Sequence, residues 1–151
     1  MINAVTDWGR LARALAFYRS RGFLEADLDW HAPADVCGLT CQDIGRMYAF
    51  GPDMLVGSAE QSFMNCQKKG LLPPGRYVAL TPCFRREEEE TETHRRHFMK
   101  VELFASHVSR TLLAREFACL AREFMAGETT APIDLVETSE GFDLEIGGVE
   151  V

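Results

Sequence analysis

Residues Arg76 to Phe104 read RYVALTPCFRREEEETETHRRHFMKVELF. Tyr77 and Ala79 alternate with Val78 and Leu80, the period of two that sends successive side chains to opposite faces of a strand. The pattern breaks into an acidic loop from Glu87 to His94 and resumes with Phe98, Val101, Leu103 and Phe104. The spacing predicts a long β-hairpin whose tip carries Arg85, Arg86, Arg95, Arg96 and the histidines His94 and His97. Basic residues flanking an acidic loop suit a polyanion held beside a metal ion or an amine.

Working outward, the segment before the hairpin has the marks of a helix. Ser58 stands three residues ahead of Gln61 in a capping-box arrangement, Phe63, Met64 and Cys66 turn inward, and Gly70 stops the run. Met54 to Val56 reads as a brief buried strand, and residues 30–51 as an irregular segment broken by Pro33, Gly38 and Gly45. At the start, Thr6 or Asp7 caps a helix with Trp8, Leu11, Ala12, Leu15 and Tyr18 at helical spacing, ended by Gly22 and followed by a strand over 23–28. Beyond the hairpin, Ser109 caps the longest helix, from Arg110 to about Ala126 with Gly127 at its end. Phe142 to Ile146 alternates as a strand, Gly147-Gly148 turns it, and Val149 to Val151 begins the return. These elements predict an α+β fold, an antiparallel sheet flanked by helices, in a single domain over 1–151.

Composition narrows the function. The 151 residues are 46% hydrophobic and 26% charged, enough to bury a real core. A net charge of −7 argues against broad, non-specific nucleic-acid binding, which needs a basic surface to neutralise phosphates. The N-terminal residues contain no apolar signal-like core, no run reaches membrane-spanning length, and the five cysteines are an odd number. The expectation is a reduced, cytoplasmic protein without a membrane partner. Cys37 and Cys41 lack a second well-spaced pair, so no protein-held metal site is expected.

Phe84-Arg85-Arg86-Glu87, a variable loop, then Phe98 and Glu102, resembles motif 2 of the class II aminoacyl-tRNA synthetases. Leu55 to Gln61 is similar to the amino-acid-binding loop that precedes motif 2 in that family. Residues 17–25 resemble its motif 1, and Asp143 to Glu150 looks like a hairpin of the catalytic sheet. The resemblance covers most of the chain. No glycine-rich strand with a second arginine follows Glu150, so the expectation is a core incomplete at its C-terminus, lacking motif 3 and an anticodon-binding domain.

The resemblance implies ATP-dependent activation of an amino acid, giving an aminoacyl adenylate for transfer to tRNA or another acceptor such as a carrier protein. Arg85 matches the arginine that holds the α-phosphate and the attacking carboxylate, where negative charge accumulates in the transition state. Glu87 matches the glutamate that reads the adenine amino edge, and Phe98 the aromatic on which adenine stacks. His94 and Arg95 are placed to meet the outer phosphates. Ser58, Glu60 and Glu102 form the amino-acid side, where a carboxylate is needed to balance an ammonium group. Mg²⁺ is expected to come with ATP, since it prefers phosphate and water oxygens to a closed protein cage. A homodimer is implied through motif 1. The alternative is a non-catalytic relative that binds an amino acid or nucleotide as a sensor or partner subunit.

Overall fold

A computed structural model describes residues 6–91, 94–107, 110–139 and 141–150. It divides into two compact units, Met1–Ser106 and His107–Val151.

In the first unit, helix α1 (Trp8–Ser20) begins at Asp7, whose carboxylate accepts the Arg10 backbone N–H at 2.9 Å. Such a cap contributes roughly 1 kcal/mol by satisfying an orphan donor. At the other end, Gly22 takes a φ of 85°, the Gly22 N–H bonds Arg19 O, and the Phe23 N–H reaches back to Tyr18 O. This is a Schellman closure, and its apolar contact is the edge-on packing of Tyr18 and Phe23 at 5.8 Å. Burial pushes the Tyr18 phenol up to about 12. Strand β1 is only Leu24–Glu25, shorter than the 23–28 expected, and runs parallel to the first hairpin strand.

Residues 31–55 form a small sheet of β2 (His31–Pro33), β3 (Ala49–Phe50) and β4 (Asp53–Leu55) in the order β2-β4-β3, with the short helix α2 (Ala34–Cys37) between β2 and β3. Its core is Ala32, Val36, Cys37, Met47 and Val56. Helix α3 (Ala59–Lys68) follows and ends as α1 does, with Gly70 at φ 68° and the Leu71 N–H on Cys66 O.

The hairpin is present as expected. Strands β5 (Gly75–Phe84) and β6 (His97–Ser106) pair antiparallel in unbroken register from Gly75↔Ser106 to Phe84↔His97, and β1 completes the order β1-β5-β6. Tyr77 and Ala79 pack on one face with Ala59 and Phe63 of α3, Leu28, Leu72 and Phe104. Val78, on the other face, is also fully buried, and α1 packs against both hairpin strands. The stem is thus covered on both sides, so alternation there does not separate an inner from an outer face.

The second unit packs α4 (Arg110–Glu128) against β7 (Ile133–Glu137) and β8 (Phe142–Ile146). The helix runs through Gly127 to Glu128, two residues past the expected end at Ala126, while the proposed Ser109 cap lies outside the described residues. Strand β7 was not anticipated; it pairs with β8 from Ile133↔Ile146 to Glu137↔Phe142. Gly147 and Gly148 both take positive φ, 61° and 79°, the type I′ geometry that joins β8 to β9 (Val149–Glu150) in two residues.

Candidate functional site

The site forms where the hairpin tip meets the turn between β4 and α3. The Phe84 N–H bonds Val56 O at 2.8 Å, and Arg85 Nε donates to Gly57 O at 3.2 Å. The buried Gln61 locks the same turn from below. Its Oε1 accepts the Gly57 N–H at 2.9 Å while its Nε2 donates to Thr40 Oγ1 at 3.0 Å. The expected capping box is therefore corrected in both halves. Gln61 serves Gly57 rather than Ser58, and the Ser58 hydroxyl makes no cap bond. A long-range carboxylate has taken that hydroxyl instead.

Between these elements lies a cleft of about 380 Å³. Ser58, Glu60, Arg85 and Glu87 of the expected set line it, together with Thr40, Cys41, Arg46, Met47 and Lys100 from residues sequence reasoning had not assigned to it. At one end the Arg85 guanidinium lies over the Phe98 ring, 5.1 Å from its centroid. A planar cation on a ring face is held by the ring quadrupole at little desolvation cost. Arg85 keeps its terminal nitrogens directed to no hydrogen-bond partner among the described residues. Glu87 is nearly covered and paired to Arg46 at 2.7 Å, and the Arg86 N–H bonds Arg46 O, so the segment before β3 clasps the hairpin tip. Arg96 closes the tip on itself, donating to the backbone oxygens of Glu87 and Glu88 at 3.0 Å each.

At the other end Ser58 Oγ donates to Glu102 Oε2 at 2.7 Å, and Lys100 Nζ meets the same oxygen at 2.8 Å. Lys100 also reaches Ser58 Oγ at 3.3 Å. Glu60 is exposed in the first turn of α3, where its charge also favours the helix dipole. Phe98 and Glu102 do not line the cleft directly; they join it through Arg85 and through Lys100 with Ser58. His94 and Arg95 are not brought to its wall. His94 is exposed and folds back onto Thr91, its N–H on Thr91 Oγ1 at 3.0 Å, and Arg95 is half-buried in the tip.

Sequence reasoning missed Arg46 and Lys100, and placed Gln61 in a capping box rather than under the Gly57 turn. Only Lys100 carried a local signal, a cation between Phe98 and Glu102 on one strand face. Cys37 is buried with its thiol on Ala32 O, and burial pushes that thiol up to about 11, so it stays protonated at neutral pH. Among the described residues no group of three His, Cys, Asp or Glu side chains is placed to hold a metal ion.

No protein-family model and no curated protein matches the chain. Solved structures do. Pyrrolysyl-tRNA synthetase PylSc of Desulfitobacterium hafniense superposes with a TM-score of 0.70 at 14% identity, over 95% of this chain and 54% of that one. A second pyrrolysyl-tRNA synthetase structure from the same organism gives 0.68 at 14%, over 95% and 56%. Seryl-tRNA synthetase of Pyrococcus horikoshii, complexed with ATP, gives 0.72 at 22%, over 94% and 39%. The fold is that of a class II aminoacyl-tRNA synthetase catalytic domain. The chain spans about half the length of the pyrrolysyl enzymes and less of the seryl one. The β5–β6 hairpin, whose sequence resembles motif 2, pairs in continuous register. No helix among the described residues is long and apolar enough to cross a membrane.

Proposed function

We propose that this chain is the ATP- and amino-acid-binding part of a cytoplasmic class II synthetase-like enzyme, one that joins the two substrates as an aminoacyl adenylate and releases pyrophosphate. The observation that carries the reading is the Arg85 guanidinium poised over Phe98 at the mouth of a cleft that also holds Glu87. Adenine takes the Phe98 ring face, and Arg85 moves from that ring onto the α-phosphate and the attacking carboxylate. A preorganised guanidinium there stabilises the charge that grows on phosphorus. Glu87, held by Arg46, offers its other oxygen to the adenine amino group. His94 and Arg95, in the hairpin tip, meet the outer phosphates. Mg²⁺ arrives with ATP as a counter-ion bound by phosphate oxygens and water. Catalysis is then positioning and electrostatics without a covalent nucleophile. The acceptor is tRNA or a carrier protein, and the working form is a homodimer paired through α1 and β1.

A second reading, an amino-acid or nucleotide sensor without turnover, draws support from the ion pairs Arg46–Glu87 and Lys100–Glu102. They already engage the carboxylates that the chemistry uses. Amino-acid-dependent exchange of labelled pyrophosphate into ATP, run over all twenty amino acids, separates the two. Exchange with one amino acid is the expected result, lost by about a hundredfold or more in Arg85→Ala while circular dichroism is unchanged. ATP binding by calorimetry without exchange selects the sensor. Absence of ATP binding overturns both readings.

A further inference from the structure

The amino-acid end of the cleft carries its own ammonium group. Lys100 Nζ sits 2.8 Å from Glu102 Oε2 and 3.3 Å from Ser58 Oγ, and Ser58 Oγ donates to that same carboxylate oxygen at 2.7 Å. These are two of the groups to which a substrate ammonium was assigned, and the protein has filled them with a side chain from the same strand. Glu102 is mostly covered, at 18% side-chain exposure, and does not line the cleft. Lys100 does line it, at 37%. A ligand entering the cleft therefore meets the lysine and not the carboxylate behind it.

Charge and donor capacity point the same way. An ammonium group has three donors, and Glu102 and Ser58 account for two of those on Lys100. Arg85 keeps its terminal guanidinium nitrogens without a hydrogen-bond partner among the described residues. Arg46, the third cation of the cleft wall, is committed to Glu87. Two cations with donors to spare thus share one cleft of about 380 Å³. An arginine fork matches a carboxylate or phosphate in plane, and a lysine acts as a point charge for a second anionic group.

We infer that Lys100 is a specificity-determining residue that selects a dicarboxylic amino acid, one carboxylate directed to Arg85 and the side-chain carboxylate to Lys100. Cationic side chains are rejected by the like charge already in place. The inference rests on the proposed amino-acid site but not on turnover, so binding alone tests it.

The experiment is calorimetric titration of the chain with aspartate, glutamate, asparagine, glutamine and lysine, with ATP titrated separately. Aspartate or glutamate is expected to bind at least about tenfold more tightly than its own amide, with lysine weakest. Lys100→Met should erase the acid-over-amide preference and Lys100→Arg should keep it. Because Lys100→Met leaves Glu102 unpaired, the double variant Lys100→Met with Glu102→Gln is titrated as well and should show the same loss. Equal affinity for acid and amide, tighter binding of lysine, or no binding of either acid overturns the inference. So does a preference that survives Lys100→Met, or amino-acid binding that strengthens in Lys100→Met, which would make the lysine a plug. An ATP titration without binding, beside a normal acid preference, instead overturns the activation reading and leaves this one standing.

Discussion

The two halves of the β5–β6 hairpin are ordered by different forces. In the stem, Tyr77 and Ala79 are sealed against α3, and Phe63 stacks on Phe104 with ring centroids 4.8 Å apart and planes 7° from parallel. Removal of apolar area from water holds this half, where Tyr77, Ala79 and Phe104 share one apolar cluster with α3. The tip from Arg85 to Arg96 has no such core among its described residues. Its shape comes from Arg96 on the Glu87 and Glu88 carbonyls, from Arg46 on Glu87, and from Arg85 on Gly57 and Phe98. Each contact is polar, near solvent and individually weak. The stem is built to stay in one place, and the tip to be rearranged by a charged ligand.

That contrast can be broken at three points. The largest effect is expected in the stem, where Phe63→Ala should lower unfolding free energy by roughly 3–5 kcal/mol, as read by urea denaturation. A loss under about 1 kcal/mol would mean that the aromatic stack does not hold the ribbon. Gln61 stands between the two regimes, buried yet serving the tip. Gln61→Ala leaves the Gly57 N–H and Thr40 hydroxyl without their partner and should cost about 1–3 kcal/mol. Gln61→Glu should cost at least as much, because it keeps the acceptor for Gly57 but sets a buried carboxylate oxygen against Cys37 O; a smaller cost would show that the bond to Gly57 dominates. Arg46→Ala, in the tip, should change stability by no more than about 1 kcal/mol, since Arg46 is 59% exposed. Its effect belongs in ATP affinity, which should weaken as Glu87 loses its orientation. If melting temperature falls sharply and ATP affinity holds, the clasp is structural.

The same division explains what the sequence made legible. The stem could be read because a strand's two-residue period and the glycine stops of the helices are local signals, and Gly22 and Gly70 close their helices by the same Schellman bonds. The resemblance to motif 2 could be read because Arg85, Glu87 and Phe98 lie within one hairpin. Pairings across the fold could not. Arg46 and Glu87 are 41 residues apart, and Ser58 and Glu102 are 44. Ser58 looked like a helix cap because caps are judged from three or four neighbours, while a carboxylate on another strand competed for its hydroxyl and won. Strand β7 was passed over because Ile133 to Glu137 follows a proline and carries acids at both Asp134 and Glu137. Its strand character depends on pairing with β8.

The β5 strand is a braced post under the arginine. Thr81 and Cys83 are fully buried and the Phe84 N–H is tied to Val56 O, so packing reaches to within two residues of Arg85. A strand rises about 3.4 Å per residue, so Arg85 stands on the order of 7 Å beyond the last sealed side chain. Displacements of about 1 Å are enough to change rates by about a hundredfold in a site that works by positioning, and a short overhang keeps them from building up. Substitutions at Thr81 or Cys83, far from any ligand, are therefore the ones that shift the arginine.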